Sequence, residues 1–506
     1  MRMTEHQYAD IAAACDRLLR GPRTSLARLA IPTLHFLNEH PSSVAQYAPL
    51  LAQRLQGDSS NIPRAVVRAA RGLMRSLAAG TLHTEASGGW PLAPIHGEPI
   101  DVLIVSHLLT REQLHQENDF YFGALQSQLK ERGATSLLVL ISHLTDPGNA
   151  RITRSHPLPR LILPRNVSPS TEVDIWRQCA SAWRALRLDA ADTRDHGDGR
   201  LAMLASRRAL SAATVMNLRM HASLANICRS VNPKMVITTY EGTVAERLIW
   251  HAARTAQRRP LCVGYQHAMV LERAHAIRRP VAAPGIDCDP EVILTLGEIP
   301  HAALAASPGL ESVRLIEYGS HRRAQLPVLP QVQDRPRRCL VLPDASPHEY
   351  ATLFDFALAC ARQRPDISFA LRPHPMVDTR TLLRRHPGLQ KLPDNASLSV
   401  GTPLEAEFAR TRYCLYRGSS AAMYAVRAGI KPYYLAQPGE LPFDCLSQLA
   451  DWREIVTSPQ DLLNRIDLAD AATDSAAASR ATSVCERYTA PVRPAAIDEL
   501  LAMVTP

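Results

Sequence analysis

The sequence predicts an α/β protein made of two successive parallel-sheet domains behind a helical N-terminal stretch. Three observations lead there. The 506 residues exceed what one core usually fills, about 250 to 300 residues. The composition, 46% hydrophobic and 21% charged, is that of an ordinary globular chain. Finally, short apolar runs alternate with helical stretches in two separate blocks, the rhythm of a parallel sheet whose strands are joined by helices.

Residues 1–85 read as helices rich in Arg and Ala, and the Gly/Pro-rich SGGWPLAPIHGEP (87–99) ends them. The first block then runs through DVLIVSHLL (101–109), a helix in FYFGALQSQLKERG (120–133) and SLLVLISHL (136–144). A Pro-interrupted segment (158–169) leads to a long helical region over about 171–230. MVITTY (235–240), a helix from Thr243 and LCVGYQH (261–267) follow, and VILTLG (292–297) and VRLIEYG (313–319) close the block. Proline recurs through AQLPVLPQVQDRPRR (324–338), which marks a linker. The second block contains CLVLPD (339–344), ISFALRP (367–373), YCLY (413–416) and PYYLA (432–436), and AAIDELLAMV (495–504) is an amphipathic helix placed to pack back on the first domain. The expected boundaries are 1–97, 98–325, 326–470 and 471–506.

The net charge of +9 comes almost wholly from arginine, since the lysines are Lys130, Lys234, Lys391 and Lys431. Dispersed arginine among carboxylates argues against a nucleic-acid partner, which favours concentrated charge. The ten cysteines lie far apart with no CxxC pair, so they are expected to be buried thiols in a reducing cytoplasm. MRMTEHQYADIAAACDRLL lacks the apolar core of a signal peptide, and no run of about eighteen apolar residues occurs. A cytoplasmic protein is expected, with any membrane contact peripheral.

Chemistry is expected at the C-terminal ends of strands, where open parallel sheets bind ligands. In YRGSSAAMYAVRAG, Ser419 and Ser420 stand between strand and helix, Gly418 leaves room for a phosphate, and Arg417 offers a planar donor fork. The plain alternative is an N-cap. Pro373 and Pro375 hold His374 rigidly, and Arg372 adds a second phosphate partner; a loop histidine is the alternative. Glu241 tops a strand-to-helix turn beside Gly242, where a carboxylate serves as base or nucleophile, or else only favours the helix dipole. His267, at the end of the next strand, and Asp344 are candidates for the nucleotide-sugar site, His267 otherwise only bonding a neighbouring backbone group, and Ser320 and His321 hold similar strand-end positions. Glu117 and Asp119 precede the first crossover helix and are candidates to meet an acceptor hydroxyl. No GxGxxG, GxxxxGK[ST], HExxH or GxSxG motif is present, and no DxD pair sits on a suitable loop, so no obligatory metal or cofactor is expected.

The His374-Pro375 turn, the Ser419-Ser420 turn and the following Gly-Ile-Lys-Pro resemble the GT-B glycosyltransferases that use CMP-activated sugars, including bacterial polysialyltransferases and Kdo transferases of capsule and lipopolysaccharide. TTYEGTVAERL, GYQHA, LTLGE and EYGSHRR resemble bacterial surface-carbohydrate biosynthesis proteins, over roughly residues 100–440. The resemblance implies two Rossmann-like domains facing a cleft. It also implies a nucleotide-sugar donor whose CMP meets His374, Ser419 and Ser420, and a glycan or lipid-linked glycan acceptor. The Gly319-Ser320-His321-Arg322 turn departs from the pattern. Similar turns occur in CDP-glycerol glycerophosphotransferases, so a polyol-phosphate transferase is the rival expectation, and a nonenzymatic scaffold of glycan assembly a further one.

Overall fold

In the computed structural model the described residues are 3–35, 38–52, 61–82, 100–144, 158–192, 197–281, 287–322, 329–344, 346–374, 377–471 and 474–504. The expected break at 87–99 and the first part of the expected linker lie outside them.

Seven strands form the first sheet: β1 (Val102–Leu108), β2 (Ser136–Ser142), β3 (Arg160–Ile162), β4 (Met235–Thr239), β5 (Leu261–Tyr265), β6 (Val292–Thr295) and β7 (Arg314–Glu317). The second sheet has six: β8 (Arg338–Leu342), β9 (Ser368–Leu371), β10 (Ala396–Leu398), β11 (Tyr413–Tyr416), β12 (Lys431–Leu435) and β13 (Glu454–Val456). Their orders are β3-β2-β1-β4-β5-β6-β7 and β10-β9-β8-β11-β12-β13, and every pair is parallel. Both follow the doubly wound Rossmann order, in which the chain reverses direction between the first and fourth strands. The two crevices so created lie at β1/β4 and β8/β11. Helices cover both faces, which explains the continuous apolar runs: β4 is buried at all five positions.

The sequence pattern misses β3, β10 and β13. Each has three residues at or next to a sheet edge, too short to carry a period. All ten cysteines are buried free thiols.

The N-terminal helices share one core with the helices inserted between β3 and β4 (Pro169–Asp192, Gly197–Ala209, Ala212–Val231). Tyr8, Cys15, Leu19 and Leu34 pack there with Cys179, Leu186, Leu201 and Val215. Arg28, almost fully buried, closes this lobe by pairing with Asp189 at 2.6 Å. After the second sheet, the C-terminal segment returns to the first: Ala490 accepts from Ser320 N–H at 2.9 Å, and Arg132 and Arg314 pair with Asp498 and Glu499.

His35 sits inside the helical lobe, 2% exposed, with Nε2 donating to the Leu29 carbonyl at 2.8 Å. Burial, aided by the charge of Arg247, lowers its pKa from 6.5 to about 3. Between those values the unfolded chain binds the extra proton, so the stability this histidine contributes is complete above pH 6.5 and lost as pH falls through about 3. The loss is on the order of 5 kcal/mol by the conversion from pKa units. Thermal melts across this range should show a shallower acid decline for His35→Gln than for the parent; parallel curves would contradict the assignment.

Candidate functional site

The first sheet supplies one wall of the site. After β4 the chain turns through Tyr240 and Glu241 to Gly242, whose φ of +77° is a left-handed conformation suited to glycine. A Cβ there would lie 2.5 Å from that of Ala276. Thr243 then caps the helix Val244–Ala253, and Glu246 completes a capping box. Oε1 of Glu246 accepts from Thr239 Oγ1 and from Glu241 N–H, both at 2.8 Å, while Oε2 accepts from Thr243 N–H at 2.9 Å. Burial, with the nearby charge of Glu241, raises the Glu246 carboxyl. Capping thus falls to Thr243 and Glu246, and the Glu241 side chain turns elsewhere.

It turns to His267, which follows β5: Nε2 lies 2.6 Å from Glu241 Oε1. Burial pushes the Glu241 pKa up, but the His267 imidazole outweighs it and holds the carboxyl below 4.5. The Glu241 side chain remains 38% exposed, whereas that of His267 is 7% exposed. Tyr121 stacks edge-on against His267, with ring centroids 4.6 Å apart, and also meets His107 at the end of β1. His107 Nδ1 lies 3.0 Å from His143 Nε2 beyond β2. Burial and the neighbouring His143 lower the His107 pKa to about 4, so it is neutral at physiological pH.

Asp119 and Glu117 are placed differently. Asp119 Oδ1 accepts from Ser106 Oγ at 3.0 Å and from the N–H groups of Tyr121 and Phe122 at 2.8 Å. It therefore shapes the loop that presents Tyr121. Glu117 is exposed and lines a shallow depression with Ser127, Lys130, Glu131 and Leu158, apart from the Glu241 cluster. Ser320 is buried and its hydroxyl accepts from Arg322 N–H at 3.2 Å. His321 Nε2 meets the Tyr318 hydroxyl at 2.6 Å.

The second sheet supplies the opposite wall. His374, just beyond β9, donates its backbone N–H to the Tyr350 hydroxyl at 2.8 Å, and burial lowers its imidazole pKa. Arg372 is turned inward: Nη1 donates to Ser399 Oγ at 3.1 Å and the Thr402 carbonyl at 2.8 Å. Ser420 is exposed at the start of the helix Ala421–Arg427 with no side-chain cap bond, and Ser419 is 8% exposed. Neither acts as the side-chain cap expected of one of them.

Arg417 and Gly418 differ from the sequence reading. Arg417 is buried and its fork pairs with Glu349, at 2.7 Å, and with Glu440. Its guanidinium lies 4.8 Å over the Phe443 ring. The space opened by Gly418 is filled by that ring, 2.8 Å from where a Cβ would stand. Burial raises the Glu349 pKa to about 7 despite Arg417.

Two further residues take part, His40, which the sequence does not mark, and Arg322, which it marks only as part of the Gly319-Ser320-His321-Arg322 turn. His40, from the N-terminal helices, donates through Nε2 to Asp344 just beyond β8, while its Nδ1 accepts from Ser42 N–H at 3.1 Å. Its ring also packs edge-on against Phe443 at 4.7 Å. Arg322 is stacked 4.4 Å over Phe120, and its charge helps lower both the Glu241 and the His374 pKa values. No group of three or more His, Cys, Asp or Glu suited to a metal ion occurs among the described residues.

No protein-family model matches the chain, and no curated protein matches it. Similar solved structures include the glycosyltransferase SnogD from Streptomyces nogalater, at 14% identity and a TM-score of 0.43 over 81% of this chain and 100% of that one. MurG from Acinetobacter baumannii matches at 10% identity and 0.42, over 80% and 100%. UDP-GlcNAc 2-epimerase from Neisseria meningitidis, bound to UDP-GlcNAc, matches at 12% and 0.43, over 80% and 100%.

Proposed function

We propose that the chain is a glycosyltransferase that takes a sugar from a nucleotide donor held by the second domain and passes it to an acceptor at the first. The observation that carries this reading is the Glu241–His267 pair, an accessible carboxylate held below its ordinary pKa at a strand end. The charge of Arg322 reaches both it and His374 on the other sheet.

In this reading His374, Ser419, Ser420 and Asp344 surround the nucleotide. Arg417 serves as buried support for their turn. The donor is a CMP-linked 3-deoxy-ulosonic acid and the acceptor a surface polysaccharide such as capsule or lipopolysaccharide. The His-Pro and Ser-Ser turns support the CMP assignment, and Arg322 supplies a cation for an acidic sugar. The acceptor hydroxyl attacks the anomeric carbon as the bond to the CMP oxygen breaks, the electron pair leaves with CMP, and the hydroxyl proton passes to Glu241. Charge on the departing phosphate is met by Arg322 and His374.

The test is product analysis with a CMP-linked 3-deoxy-ulosonic acid and an oligosaccharide acceptor. Transfer of the sugar with release of CMP is expected; phosphorus in the product would instead mark a polyol-phosphate transferase. His374→Ala should weaken CMP binding about 10- to 100-fold, the range for one lost hydrogen bond to a charged group. Unchanged affinity in calorimetric titration would remove His374 from the nucleotide site.

A further inference from the structure

The helix Asn61–Leu82, with side chains described over 62–77, is divided lengthwise into three faces. Successive side chains stand about 100° apart on a helix. Ala65, Gly72 and Ser76 therefore share one narrow face, and all three are buried against the protein. Gly72 fits so closely there that a Cβ would lie 2.2 Å from Glu172 Oε1, in the Glu172–Arg219 pair that links the helices Pro169–Asp192 and Ala212–Val231.

Ile62, Val66, Val67, Met74 and Leu77 fall within a second arc of about 140°. They are 46%, 63%, 49%, 68% and 55% exposed, and make up five of the twelve large exposed apolar side chains among the described residues. That concentration on one helix is what separates a binding face from ordinary scattered exposure. Arg64, Arg68, Arg71 and Arg75 fill a third arc of about 60° beside it. The helix carries no Asp or Glu.

We infer that this helix is an interfacial anchor that lies flat on an anionic lipid bilayer, with its apolar face among the upper acyl chains and its arginines at the headgroups. An apolar face flanked by basic residues on a helix of about 33 Å is the pattern of helices that lie in the bilayer surface. No helix among the described residues is long and apolar enough to cross a membrane. Charge favours a lipid surface over a second copy of the chain: the four arginines, centred about 140° around the helix from the apolar face, would find no carboxylate on a second copy of this helix, whereas anionic headgroups neutralise them. The assignment stands apart from the choice of donor.

The test is co-sedimentation of the full chain with vesicles of phosphatidylcholine alone and of phosphatidylcholine mixed with phosphatidylglycerol. Binding is expected only to the mixed vesicles and should weaken as salt rises. Arg64→Gln combined with Arg71→Gln should lower partitioning about 30-fold, each arginine near an anionic surface accounting for about a fivefold factor. Val66→Asp with Met74→Asp should abolish binding, and both pairs should leave the melting temperature and transfer to a soluble acceptor unchanged. Equal binding to the two vesicle types, or none to either, would overturn the inference. So would a dimer in light scattering that Val66→Asp dissociates.

Discussion

Glu241→Gln should lower the rate of transfer by about three orders of magnitude, within the range for a lost general base, while CMP affinity stays within about twofold. The substitution keeps the size of the side chain and removes the negative charge that faces His267 at 2.6 Å. It leaves the turn intact, because the bonds that hold it run to Glu246 and not to Glu241. Structure and nucleotide binding should therefore survive, and rate alone should fall. The pH profile provides a second check. Since His267 holds the Glu241 carboxyl below 4.5, the carboxylate is charged throughout the neutral range, and the acid limb of kcat/KM should fall below pH 4.5. A variant that retains full turnover would remove Glu241 from the chemistry.

Arg417→Ala should destabilise the second domain by about 3 to 5 kcal/mol, the cost of stripping one partner from a buried ion pair. Arg417 and Glu349 are both 1% exposed, and Glu440 is paired to the same guanidinium. Removing the arginine leaves Glu349 charged without a partner, or forces it to take up a proton. Replacing both, Arg417→Met with Glu349→Leu, should recover most of the lost melting temperature, because an apolar pair of similar volume avoids the desolvation of two charges. A phosphate ligand would behave otherwise. If Arg417→Lys lowered CMP affinity with no change in melting temperature, the structural role assigned here would be wrong.

These two residues mark how far the sequence carries. Both sheets and their parallel sense were legible because interior strands buried on two faces leave apolar runs such as MVI and CLVL. The three-residue strands β3, β10 and β13 were not, since a period cannot show itself in three positions. Within the site, strand ends could be read as candidate positions, and the structure brings Glu241 together with His267 as the strand order requires. What a polar side chain does at such a position depends on partners distant in sequence. Arg417 looked like a free donor fork because Glu349 and Glu440 lie 68 and 23 residues from it in the chain. Gly418 looked like an opening because nothing local announces Phe443. His40 stands 304 residues from Asp344, in a helical stretch whose local pattern reports only its own helices. Asp119 shows the reverse case, a loop carboxylate used by its own loop.

Titration calorimetry of the full chain with CMP, and in parallel with CDP, UDP and dTDP, tests the central claim most directly. A nucleotide site between His374 and the Ser419-Ser420 turn predicts one CMP bound per chain, with an affinity that His374→Ala lowers about 10- to 100-fold and Glu241→Gln preserves. No heat with any of the four nucleotides, from protein whose melting transition shows it folded, would contradict the account.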